Sequence, residues 1–419
     1  MANLFRFEFM AKLLNANYED DEAEKPSPAQ IVASIDDLLI EIIQRLPLKH
    51  TVQLRLISKY WSSLILDPKI SLLRIRPAVG FIFEVLNKGH SYIIFFDKSI
   101  SSPIRKMTPT TNDTFNCHYN VISSCNGLLL CFIYRAGPKY YVCNPTTGIY
   151  IALPQVVFDN TNESICGMYL AFDPSKSPHY KVVCVLRCLR GWLRSFEVYS
   201  SETGTWRKGG ELFTANVNFN YHGGVYWNGA IHWVKIVTKP QECVYFSLDC
   251  DDQTPKVFPN PPLQDDKSYQ RSDYYFGESC DHLHFVDAHR ELDEFIVYEM
   301  KRDYSEWFVK FKVNVLAMKG GFSEWYIKRK INASEVDMNY WLSYFKYKVF
   351  VRVHTVVRGE NDTDSFLVVA TGRRRIARYN IEQRTCETLC DFDSKYKDNS
   401  VVFFCSGRSF QYIESLCSV

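Results

Sequence analysis

Two hydrophobic patterns divide the chain. Between residues 35 and 66 apolar side chains recur at helical three- and four-residue steps, whereas from about Val79 onward they form short strand-like runs broken by polar turns. In the first region Leu38, Leu39, Ile42, Ile43 and Leu46 mark a helix, with Asp36 or Asp37 as its cap and Pro47 as its stop. A second short helix is expected over 50–57, where Val52 and Leu56 lie one turn apart. A third is expected from Ser58, with Trp61, Leu64 and Ile65 on one face before Asp67 and Pro68 break it. Sixteen of these 32 residues are apolar, more than one buried face needs. So short a unit also falls below the ~40 to 60 residues at which a lone domain becomes self-sufficient. Some of its surface must be covered, either by the rest of the chain or by another protein, and pattern alone does not choose.

After Val79 a unit of strand, polar turn and strand repeats. Its turns start at Asp97, Asn144, Ser200, Asp249, Glu299 and Asn380, at intervals of 47, 56, 49, 50 and 81 residues. A period near 50 with hairpin-forming strands is kelch-like. Segments 127–132, 181–186, 224–234, 282–286 and 366–370 are expected as inner strands, and 401–405 is expected to complete the first blade and close a ring. The expected fold class is α+β multidomain: a small all-α unit followed by an all-β propeller of six or more blades, the 81-residue gap holding an insertion or a degenerate blade. A β-sandwich array competes, because hairpin spacing does not fix radial closure. The expected domains are a flexible acidic leader at 1–33, a helical module at 34–76 and the propeller at 79–419; the leader carries Glu19, Asp20, Asp21, Glu22 and Glu24 before Pro26 and Pro28.

Composition narrows the function. The 419 residues carry 49 basic against 47 acidic side chains, a net charge of +2, which argues against a general nucleic-acid binder. Aromatic residues reach 15%, as half-buried strands favour. Fourteen cysteines show no CxxC spacing, and Cys131, Cys143 and Cys184 sit in apolar runs, so they read as reduced core thiols. Phe5, Phe7 and Phe9 are interrupted by Arg6 and Glu8, leaving no signal-peptide core, and no run of 18 apolar residues exists to span a membrane. A cytoplasmic or nuclear chain is expected.

The residues also carry a resemblance. The string from Ile35 through Asp36, Asp37, Leu38 and Leu39 to Leu46, Pro47, Leu48 and Lys49, with Ser58 to Ile65 and then Asp67 and Pro68, resembles an F-box over about 35 residues. One departure is Ser34 and Ile35, where that family usually has Leu-Pro. Ser124 to Leu129, Cys143 to Gly148, Leu153 and Pro154, then Ala171 to Asp173, Tyr180 to Val183 and Trp227 to Trp233 resemble the plant F-box-associated domain, a group that includes the S-locus F-box-like branch. The resemblance thins beyond about Val309.

It implies a non-catalytic subunit that binds a Skp-family adaptor, and through it a cullin, while the propeller holds a target protein for ubiquitination. It further implies that Leu38, Leu39, Ile42, Leu46, Pro47, Val52, Leu56, Trp61, Leu64 and Ile65 line or support the adaptor interface. The other class to weigh is a kelch-like propeller lectin or enzyme acting outside ubiquitination. No GxGxxG, GxxxxGK, HExxH or GxSxG motif occurs, and no cofactor is expected. His282 and His284 share a strand face, where packing suits them better than metal ligation, and Asp249, Asp251 and Asp252 read as a solvated turn. The basic runs 328–330 and 373–375 read as exposed turns, with recognition of an acidic or phosphorylated target as the other possibility. Tryptophans next to turns, such as Trp192 and Trp325, are the candidates for partner anchors.

Overall fold

The computed structural model describes residues 31, 35–46, 51, 54, 59–66, 78–85, 90–97, 104–107, 119–133, 139–158, 163–188, 193–210, 213–214, 223–235, 242–248, 254–262, 274–289, 294–314, 351–359, 361–371, 375–391, 409–417 and 419. Two helices come first. In α1 (Asp36–Arg45), Asp36 and Asp37 lie inside the first turn, where their charge suits the helix dipole, and no side chain caps the N-terminus. That corrects the expected aspartate cap. Leu46 is extended (ψ 145), as a residue before proline must be, and ends the helix. Helix α2 (Lys59–Leu66) follows. Of the segment expected as a middle helix, only Thr51 and Leu54 are described.

The strands form six separate antiparallel sheets. Blade 1 contains β1 (Gly80–Val85), β2 (His90–Phe95) and β3 (Ile104–Lys106); blade 2 contains β4 (Tyr119–Cys125), β5 (Leu128–Ile133), β6 (Lys139–Asn144) and β7 (Ile149–Ala152). Blade 3 has β8 (Glu163–Ala171), β9 (Lys181–Cys188), β10 (Leu193–Ser200) and β11 (Thr205–Lys208), with β12 (Phe213–Thr214) added beside β10. Blade 4 has β13 (Val225–Trp227), β14 (Ala230–Lys235), β15 (Glu242–Ser247) and β16 (Lys256–Val257). Blade 5 has β17 (Tyr274–Ser279), β18 (His282–His289), β19 (Glu294–Met300) and β20 (Trp307–Asn314). Blade 6 has β21 (Val351–Val357), β22 (Phe366–Thr371), β23 (Arg375–Asn380) and β24 (Thr385–Asp391).

The last strand, β25 (Ser409–Tyr412), pairs antiparallel with β1 and becomes the innermost strand of blade 1. Strands β25, β4, β8, β13, β17 and β21 then contact one another in succession and return to β25, so the sheets close radially. The fold is a six-bladed propeller rather than a sandwich array. Ring closure comes from 409–412; the segment expected for it, 401–405, lies outside the described residues. The six repeated turns are the hairpins between the third and outermost strands. Segments expected as inner strands are second strands, and 224–234 is a hairpin of β13 and β14 turning at Asn228 and Gly229. Apart from β13, the true inner strands escaped the pattern because they line the axis, where Ser123, Ser279 and His354 stand among apolar neighbours.

Each sheet buries both faces by period-two alternation. In β9, Val182, Cys184 and Leu186 pack toward blade 2, while Val183 and Val185 pack toward blade 4. Two tryptophans clasp neighbouring blades: Trp206 of β11 donates to the Pro154 carbonyl beyond blade 2 (2.9 Å), and Trp307 of β20 donates to that of Pro259 beyond blade 4 (2.8 Å).

Candidate functional site

Helix α1 carries two apolar stripes with different fates. Leu39 and Ile43 are buried against Trp61 and Ile65 of α2, with Leu54 and with Leu416 from beyond the last strand; Ile40, Leu46 and Leu64 pack half-buried on the same cluster. The second stripe, Ile35, Leu38 and Ile42, falls on another face by helical spacing. Ile35 and Leu38 are 40% and 41% exposed and Ile42 is half-buried. Tyr60 of α2 is exposed as well, and its hydroxyl donates to Asp36, tying the two helices together. The excess of apolar residues is thus divided: one stripe packs within the chain, and the other leaves Ile35 and Leu38 exposed.

Of the residues expected at an adaptor interface, Leu38 is exposed, Ile42, Leu46 and Leu64 are half-buried, and Leu39, Trp61 and Ile65 are buried. The buried three can only support an interface. Pro47, Val52 and Leu56 lie outside the described residues. Ile35 and Tyr60, exposed beside Leu38, were not among the residues expected there, although the spacing of Ile35 from Leu38 was visible in the sequence. Leu416 carried no local signal at all.

At the propeller's axis, on the end bearing the two-residue turns at Asn126, Asn228 and Cys280, lies a polar cavity of about 570 Å³. Within the lining Arg302 pairs with Asp281 and Lys176 with Asp173 (3.8 Å), while Arg358 reaches out of it to Asp362 (2.8 Å). Beneath it Glu299 accepts from His282 (2.8 Å) and faces His284 (3.6 Å). Burial alone would raise the Glu299 pKa, but these two histidines hold it well below the carboxylate range. The histidine pair expected on one strand face therefore serves a buried carboxylate. Among the described residues no group of three or more His, Cys, Asp or Glu is arranged to hold a metal.

A serine and histidine also meet, His354 Nδ1 standing 3.0 Å from Ser409 Oγ. His354 is buried and burial lowers its pKa to about 3, too weak a base to activate a hydroxyl near neutrality. Ten of the described cysteines are free thiols. Burial pushes Cys125, Cys131 and Cys184 above the ordinary thiol value, for Cys131 after the larger effect of its contact with Cys143, which suits inert core residues. Arg375 pairs with Asp391 (2.9 Å), while 328–330, 373–374, 249–252, Trp192 and Trp325 lie outside the described residues. No described helix is long and apolar enough to cross a membrane.

Comparison with known proteins agrees with this geometry. The F-box domain family matches residues 36–73, and the F-box associated beta propeller domain family matches residues 85–419. The chain is 30% identical to F-box protein At5g07610 of Arabidopsis thaliana over 94% of both chains. It is 27% identical to the F-box/LRR-repeat/kelch-repeat protein At2g27520 of the same organism, over 54% of this chain and 59% of that one. Among solved structures, SapL1 lectin in complex with alpha methyl fucoside superimposes with a TM-score of 0.36 at 11% identity, over 77% of this chain and 98% of that one, too low to bear on fold or ligand. With two helices at one end, a six-bladed ring after them and a match along nearly its whole length, this chain belongs to the F-box proteins that carry an F-box-associated β-propeller domain.

Proposed function

We propose that the protein is the substrate receptor of a Skp-cullin-F-box ubiquitin ligase and has no catalytic chemistry of its own. The outer stripe of α1 docks on a Skp-family adaptor, which joins it to a cullin, and the propeller holds a target protein. The observation that carries this reading is the exposure of Ile35 and Leu38, with half-buried Ile42 on the same stripe, on a helix whose other face is already packed. Catalysis of ubiquitin transfer is then by proximity, since holding a target lysine near the charged conjugating enzyme replaces a bimolecular encounter by an effectively intramolecular one. The buried His354, too weak a base to activate Ser409, supports a binding role over an enzymatic one.

Strand direction supports a division of labour between the two ends of the ring. Leu416 lies beyond the C-terminal end of β25, on the end with the short turns, and there it meets the helices. The connections between blades leave from the other end; 315–350 and 392–408 are the longest in sequence. Target selection is assigned to that end.

The test is co-purification of the full chain with a Skp-family adaptor. Leu38→Asp places a charge on an exposed position, so folding is spared while a desolvated contact loses several kcal/mol. Wild type is expected to co-purify and Leu38→Asp to be depleted at least about tenfold. Equal recovery of the two, or none of the wild type, sinks the adaptor reading.

A further inference from the structure

The residues after β25 are held on two sides. Leu416, 3% exposed, enters the helical core among Leu39, Ile43, Leu54, Trp61 and Ile65. Its neighbours turn the other way, onto blade 2. Asn144, fully buried at the end of β6, donates from Nδ2 to the carbonyls of both Ser415 (3.0 Å) and Cys417 (2.8 Å), and so brackets Leu416. Its Oδ1 accepts the Thr146 N–H at 2.9 Å, which fixes the amide's orientation. Thr146 Oγ1 accepts the Ser415 N–H (3.2 Å), and Ser415 Oγ accepts the Cys417 N–H (3.1 Å).

Packing completes the clamp. Cys417 and Val419 join the core between blades 2 and 3. Gly127, at φ +89, leaves the tail its path, because a Cβ there would stand 2.2 Å from the Ser415 Cβ. Three consecutive residues thus alternate between the helices and blade 2.

We infer that Leu416 is a positioning residue for adaptor docking: held in place by Asn144, it completes the core on which α1 rests, so that the outer stripe is presented properly only when the propeller ring is closed. The inference rests on the adaptor reading above. Its mechanical reason is adjacency. The strand that closes the ring, β25, ends four residues before Leu416, so a chain whose ring is open cannot place that side chain. Adaptor loading is thereby linked to a finished target-binding domain.

The experiment titrates a purified Skp-family adaptor against full-length wild type, Leu416→Asp, Leu416→Met and Asn144→Asp. The last variant keeps the acceptor for Thr146 but replaces the two donated bonds by repulsion between oxygens. Thermal melting and tryptophan emission report propeller integrity, and hydrogen exchange reports the amides of α1. Expected are adaptor affinities lowered at least about tenfold in Leu416→Asp and Asn144→Asp, near-wild-type affinity in Leu416→Met, faster exchange in α1 and a retained propeller transition. If wild type binds and Leu416→Asp binds equally well, the inference is overturned and the adaptor reading stands. If wild type itself fails to bind, the adaptor reading falls and takes the inference with it. Should Leu416→Asp lose the propeller transition, Leu416→Ala decides by the same comparison.

Discussion

Glu278 sits in the lining of the axial cavity, where its Oε1 accepts the Asp281 N–H at 2.6 Å. Burial pushes its carboxyl from the ordinary 4.5 up to about 7; His282 opposes the shift and Asp173 adds to it. Between those two values the folded state holds a proton that the unfolded state has released, so the group's contribution to stability is full below about 4.5 and is lost as pH rises through about 7. Glu278→Gln keeps the acceptor and removes the charge. Its melting temperature should exceed that of wild type at pH 8 and match it at pH 4; a loss at pH 8 would contradict the assignment. His232 and His354 act in the opposite sense. Burial holds both near 3, so the unfolded chain takes up protons first as pH falls below about 6.5, and stability declines from there toward 3. For His232 the neutral ring is part of the packing, since Nε2 meets the Tyr304 hydroxyl at 2.9 Å.

Outermost strands are open edges, and the six blades manage them unequally. Strands β3, β11, β16, β20 and β24 each contain Lys, Arg, Glu or Asp, which discourages pairing with other chains. Strand β7 reads Ile149, Tyr150, Ile151 and Ala152, carries no charge, and all four residues are exposed. Val157 and Phe158 beside it are exposed too. This edge is the expected seat of self-association. Ile151→Lys should lower concentration-dependent light scattering while leaving stability within about 0.5 kcal/mol, as for other exposed substitutions. Unchanged scattering would show that association starts elsewhere. The edge shows also how far local pattern reaches. Its turn, Asn144 to Gly148, was legible because Asn144 Oδ1 and the positive φ of Gly148 (74) are turn chemistry written in residue types. The exposure of both faces of β7 was not, because apolar residues in a strand read as buried by default.

Across the whole molecule, β25 supplies the interactions that make six sheets one body. Gln411 donates from Nε2 to the carbonyls of Glu278 (2.8 Å) and Val356 (3.0 Å), accepts from Ser279 Oγ (3.3 Å), and its own carbonyl accepts from Ser124 Oγ (3.0 Å). One residue thus binds blades 5, 6 and 2. Truncation after residue 408 removes these bonds and the inner strand of blade 1, and should abolish cooperative thermal unfolding in calorimetry and near-UV circular dichroism. A transition at the wild-type temperature would show that the ring does not depend on this closure.

The period of the turns, the two hydrophobic patterns and the string from Ile35 to Pro68 settled the helical unit at one end and the repeated hairpins after it, because each is a local consequence of residue type and spacing, but left a ring and a sandwich array both open. Blade number followed nearly as directly, one turn to a blade. Local pattern could not identify β25 as the closing strand, the polar inner strands around the axis, or the sorting of α1 into a packed stripe and a free one. These depend on which distant segment covers a given face. Leu416 is the clearest case: a leucine near the end of the chain has no helical context in sequence, and only the closed ring, with Asn144 gripping the residues on either side, brings it to Leu39 and Ile43.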